Sequence, residues 1–140
     1  MRRATLLLMA MTLAGCAAGS ASPSFERVQF YFPRHADPLG AGDAARLEGT
    51  TAFADGCLWI ETEAGDRFLP LWPSDTTAGE INDLPAVLGP DSELLVETGS
   101  LTVLGGSQTD LATAAELVGA IPAACASDAF WAVSTVESRP

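Results

Sequence analysis

The chain has 140 residues, with 18 acidic against 7 basic, no lysine and a formal net charge of −11. That length suits one domain with a modest core and not two. A chain this acidic repels nucleic-acid phosphates and anionic lipid headgroups, which excludes both as partners recruited by charge.

Arg2 and Arg3 open the chain, and Leu6, Leu7, Leu8, Met9, Ala10, Met11 and Leu13 follow as an apolar run broken only by Thr12. The run is too short for a resident membrane span but matches the core of a signal peptide. A plain secretory signal would end in an A-x-A-like site, whereas this one ends Leu13-Ala14-Gly15-Cys16. A twin-arginine signal fits less well, because Arg2-Arg3 lack the rest of that motif.

The tetrapeptide resembles the lipobox of bacterial lipoproteins. The resemblance implies a thioether from the Cys16 sulfur to a diacylglyceryl group, cleavage just before Cys16, and acylation of the new amino terminus. Small side chains at Ala14 and Gly15 would let the backbone enter a narrow membrane-embedded peptidase. Ala17, a residue other than Asp, implies export to the outer membrane. With two or three acyl chains, attachment is stable rather than marginal. The expected organisation is therefore a signal peptide over 1–15, a lipidated cysteine and tether over 16–24, and a single small β-rich domain over 25–140.

Without residues 1–15 the chain keeps five arginines and all 18 acidic residues, a side-chain charge of −13. Two cysteines remain besides Cys16, namely Cys57 and Cys125. In an oxidising compartment such a pair is expected to be bridged. Closing so long a loop stabilises the fold by about 4 kcal/mol in the chain-entropy account. A redox or metal pair is the alternative, but there is no C-x-x-C spacing and only one histidine.

Residues 17–24 are small and polar and, fully extended, reach roughly 26–29 Å. Val28 to Phe32 is a β-prone run stopped by Pro33, and 33–43, with two prolines and two glycines, reads as a loop. Arg46 to Phe53 predicts a strand ended by a turn at Asp55-Gly56. The clearest unit is "GCLWIETEAGDRFLPLWP". Residues 57–60 are apolar on both faces and predict a doubly buried strand. Ala64-Gly65-Asp66 supplies turn chemistry, and 68–72 runs back to complete a hairpin. Pro70 cannot donate a ladder hydrogen bond, so this second strand is expected at an edge or with a bulge.

Short extended pieces are expected near 80–81 and 86–88, and further strands over 93–97 and 100–104, the last ended by Gly105-Gly106 as a turn. Leu111, Ala114, Ala115, Val118 and Ile121 have helical spacing and predict a helix from Asp110 to about Ala120, capped by Thr109 and stopped by Pro122. Ala129 to Val136 predicts the last strand. The sum is a mainly β fold: a small, partly open, OB-like β-barrel with one short helix near the C-terminal end. A two-layer α+β sandwich is the alternative.

The segments "DGCLWIETEAGDRFLPLWP", "LTVLGG", "PAAC" and "FWAV" resemble a small disulfide-linked module of bacterial lipoproteins and secreted proteins. The likeness covers about residues 46–136 and implies the barrel and the bridge, with no assigned activity.

Candidate chemistry is sparse. His35, in "PRHADP", reads as an exposed loop histidine without a partner nucleophile. Glu61 and Glu63 share one side of a strand, and Asp91 and Glu93 are similarly spaced; both pairs read as solvated polar edges rather than a Ca²⁺ site or an acid–base pair. Trp59, Phe68, Trp72, Phe130 and Trp131 flank the two cysteines. Pointing inward they are core around the bridge; pointing outward they form a recognition patch.

The expected function is that of a lipid-anchored cell-envelope protein, a non-enzymatic binding or structural module with no cofactor, metal or nucleic-acid partner. Its membrane contact is the lipid on Cys16, and its partner would be an envelope protein or a glycan. An envelope hydrolase using Glu61 and Glu63, or an outer-membrane assembly factor, are the alternatives.

Overall fold

The computed structural model describes residues 29–42 and 45–137. In chain order the elements are β1 (Ala45–Ala54), β2 (Cys57–Glu61), β3 (Arg67–Leu71), β4 (Thr77–Ile81), β5 (Leu84–Leu88), β6 (Leu94–Glu97), β7 (Leu101–Thr109), α1 (Leu111–Val118), a 3₁₀ turn (Ala123–Cys125) and β8 (Phe130–Glu137). Strands β1, β2, β3, β8 and β7 close in that order, with β7 returning to β1. All neighbours are antiparallel except β3 and β8, which run parallel. This is the expected mainly β, OB-like barrel. Strands β4, β5 and β6 form a separate three-stranded sheet inserted between β3 and β7.

Local chemistry explains most turns. Along β1, Leu47, Gly49 and Thr51 are buried while Arg46, Glu48 and Thr50 are exposed, the two-residue period of a strand with one face inward. Asp55 and Gly56 both take positive φ and join β1 to β2 in two residues; Asn82 and Asp83 do the same between β4 and β5. Asp, Asn and Gly tolerate that conformation, and it matches the twist of the flanking strands.

The apolar run at the start of β2 is buried on both faces, as expected, because two separate cores meet there. Leu58 and Ile60, with Phe68, Trp72, Trp131, Val133, Leu47 and Leu104, form one; Val87 and Val96 bring the inserted sheet onto it. Cys57, Trp59, Leu69, Leu71, Phe130, Cys125 and Ala114 form the other, which α1 and the 3₁₀ turn cover. Each fully buried aliphatic or aromatic side chain contributes about 1.5–3 kcal/mol of hydrophobic stabilisation.

The barrel is sealed unevenly. β2 and β3 pair only at Ile60–Phe68 and Glu61–Arg67. Pro70 has no N–H to carry that ladder further. The expectation of an edge strand is corrected: β3 lies between β2 and β8, with Pro70 in register with Trp131. The far ends of β2 and β3 are joined instead by residues 31–35. Tyr31 N–H donates to Gly56 O at 2.8 Å, Trp72 N–H to Pro33 O at 2.8 Å, and His35 N–H to Trp72 O at 3.0 Å. This segment makes isolated bridges, Tyr31–Cys57 and Arg34–Trp72, rather than the regular strand expected over 28–32, whose first residue lies outside the described residues. Phe30 and Phe32 pack on one core and Tyr31 on the other, and Phe32 stacks on Trp72 with ring centroids 5.9 Å apart.

Three further expectations change. Gly105-Gly106 is not a turn; β7 runs through both glycines to Thr109, with a bulge against β8. A Cβ on Gly106 would lie 2.0 Å from Ala132 O, so the glycine permits the close crossing of the two strands. The cap of α1 is Asp110 rather than Thr109, its carboxylate accepting from Thr113 N–H at 2.8 Å. The helix ends at Val118, with Gly119 at positive φ donating to Ala115 O, before Pro122 is reached. Of its expected inner face Ala114 is buried and Val118 and Ile121 are partly covered, whereas Leu111 and Ala115 are exposed.

Candidate functional site

Cys16 and the rest of the segment expected to be signal and tether lie outside the described residues. Cys57 and Cys125 are bonded, with Cα atoms 5.6 Å apart and a sequence separation of 68. The bridge fastens the start of β2 to the turn before β8, beside Trp59 and Phe130.

The aromatic recognition patch is corrected. Trp59, Phe68, Trp72, Phe130 and Trp131 are all buried, none more than 9 % exposed. They do not gather around the bridge as one cluster either. Strand alternation sends Trp59 and Phe130 to the bridge side, and Phe68, Trp72 and Trp131 to the opposite core. Phe68 meets Trp131 edge to face at 6.1 Å, and the Arg67 guanidinium lies 5.3 Å from the Trp59 ring. Trp131 Nε1 is buried without a protein hydrogen-bond partner, and a Cβ on Gly106 would come within 2.8 Å of it.

His35 is also corrected, being buried at 6 % exposure rather than exposed. Its Nε2 lies 2.7 Å from Val133 O, and its Nδ1 lies 3.3 Å from Asp37 N–H. With Nδ1 accepting from the Asp37 N–H, Nε2 is the ring nitrogen that donates to the Val133 carbonyl. The ring ties the loop after Pro33 to β8. Arg34 donates to Ser74 O and Thr76 O and holds the chain after β3 against the same loop.

The carboxylates expected at polar edges are at the surface. Glu61 is held by Arg67, whose Nε donates to it at 3.0 Å. Glu93 accepts from Asp91 N–H at 2.9 Å and so organises its own turn. Glu61 and Glu63 line a shallow groove of about 490 Å³ with Glu48, Gly49, Thr50, Thr62 and Leu101. A second, of about 160 Å³, is lined by Leu94, Leu95, Glu97, Ser100, Leu101, Thr102 and Glu137. Leu101 belongs to both. A third, of about 440 Å³, lies at the β2–β3 turn against residues 127–129. Among the described residues no three His, Cys, Asp or Glu side chains are arranged to hold a metal ion.

The groove around Leu101 is a feature that sequence reasoning missed. Its residues come from β1, β2, β6, β7 and β8, and only the strand register brings them together. The one available signal was Leu101 itself, which shares a strand face with Val103 and is half-exposed. No protein-family model, characterised protein or solved structure matches this chain.

Proposed function

We propose that the chain is a lipid-anchored cell-envelope protein that presents its bridged barrel from a membrane, the outer membrane by the residue after Cys16, and works by binding. One observation carries this reading. Of three cysteines, two are consumed by the Cys57–Cys125 bond, and the third stands at the end of a signal-like apolar run behind Leu13-Ala14-Gly15. Disulfides persist in exported proteins, so the bridge and the lipobox agree on the compartment.

Binding is favoured over hydrolysis by what the candidate catalytic groups do. His35 is spent on two backbone groups inside the fold, and Glu61 on Arg67. An acid–base pair needs both members available to substrate, and Arg67 already engages Glu61 of the Glu61–Glu63 pair.

The test uses the full chain in its envelope with a clickable palmitate. Wild-type protein should take up label and run as the processed form, and Cys16→Ser should stay an unlabelled precursor. Labelling of Cys16→Ser at the wild-type level overturns the proposal.

A further inference from the structure

We infer that the face centred on Leu101 is a docking groove for a cationic segment of alternating basic and apolar residues from another polypeptide; the inference rests on the reading of the chain as a binding module and names the partner chemistry.

The register builds the face. Leu101 pairs with Thr50 on β1, and Thr50 pairs with Glu61 on β2. Two residues further along β7, Val103 lies opposite Glu48 on β1 and Glu137 on β8. Val103 itself is buried at 1 % exposure, so Leu101 is the exposed apolar residue of β7 between the two glutamate-bearing strands. Those outer strands are roughly 10 Å apart, twice the strand spacing. Leu94 and Leu95 extend the apolar floor at one end, where Glu97 joins the rim. Leu101 is 50 % exposed and Leu94 43 % exposed, with no element of the described chain covering them.

Charge selects the occupant. Glu48, Glu61, Glu63, Glu97 and Glu137 surround the floor, and the arginines paired there are Arg46 with Glu48 and Arg67 with Glu61. No ion pair among the described residues holds Glu63, Glu97 or Glu137, so the rim has a negative excess. A second copy would bring the same sign, and an anionic bilayer surface would too. A segment with lysine or arginine on either side of an apolar side chain matches both rim and floor: the apolar group covers Leu101, and the cations reach the flanking carboxylates. Rim charges of this kind mainly set association rate and partner choice, while the buried apolar contact sets affinity.

The experiment titrates a short fluorescent peptide of alternating lysine and leucine into the full chain in non-ionic detergent. Saturable binding that falls at least about tenfold, or 1.4 kcal/mol, in Leu101→Asn is expected. A comparable fall is expected in the double variant Glu97→Gln/Glu137→Gln. Leu101 and Glu137 are exposed and Glu97 is half-buried at the surface, so the fold should persist, and far-ultraviolet dichroism checks it. An alternating lysine–glycine peptide should bind at least about tenfold more weakly, because it lacks the apolar half of the match. Equal binding of that peptide, or no effect of Leu101→Asn, means diffuse attraction to an acidic protein and overturns the inference. So does the absence of saturable binding. Sedimentation showing self-association that Leu101→Asn abolishes would give the face to a second copy and overturn it too. Intact mass of the same sample reports lipidation independently: an unlipidated chain that still binds refutes the anchor and leaves the groove standing.

Discussion

Gly106 shows how single positions decide this fold. Two adjacent glycines after an alternating run have the local chemistry of a turn, and nothing nearby says otherwise. What keeps them in the strand is a neighbour from far along the chain, the Ala132 carbonyl, which leaves no room for a Cβ. The contact is with backbone and cannot swing aside, and the φ of 154° is one that L side chains rarely adopt. Gly106→Ala is therefore expected to destabilise the barrel by about 1–3 kcal/mol or more, measured as a lower urea midpoint at unchanged slope. An unchanged midpoint would mean that β7 and β8 part easily. His35 was illegible for the same reason. Its sequence neighbours, Arg34 and Asp37, suggest an exposed loop, and only Val133, nearly a hundred residues away, gives the ring a buried partner. The aromatic residues were legible as bulky and β-prone, but which core each joins depends on strand parity. That could be read for Trp59 only once its neighbours' burial was known.

At the scale of elements, the first hairpin and the last strand were legible because their periodicity is short and their turns are chemically explicit. The inserted sheet was only half legible. Its Asn82-Asp83 turn is a strong hairpin signal, but three prolines nearby obscured the strand register. Helix α1 was placed to within a residue or two, although its cap was assigned one position early. That cap is now testable. Backbone and side-chain hydrogen bonds from Thr113 hold the Asp110 carboxyl below its ordinary value of 3.8. A carboxylate depressed in the folded state stabilises above its unfolded pKa and loses that contribution as pH falls through the folded value. Below about pH 4, amide exchange in the first turn of α1 should speed up relative to the barrel strands, and Asp110→Ala should show the faster exchange already at neutral pH. Identical exchange in that variant at neutral pH would show that the cap does not hold the turn.

Over the whole molecule, the fold class followed from many short strands, one amphipathic helix and two cysteines, whereas closure of the barrel did not. Closure depends on β8 slipping in parallel to β3, a pairing of Leu69 with Phe130 across 61 positions of sequence that leaves no local trace. The bridge should matter at this scale. A separation of 68 residues between its ends corresponds to about 4 kcal/mol of loop entropy, so reductant should lower the melting temperature by roughly 10–20 °C. A melting curve indifferent to reductant would show that the packing around Trp59 and Phe130 suffices alone. Residues 31–35 join the far ends of β2 and β3 and also lead back toward Cys16. In an acylated chain, any tug between bilayer and barrel would pass first through the Tyr31, His35 and Trp72 backbone contacts. A mooring rope attached there would be spliced into the lobe's own wall, so tension on it would be felt as an opening of the barrel before it was felt anywhere else.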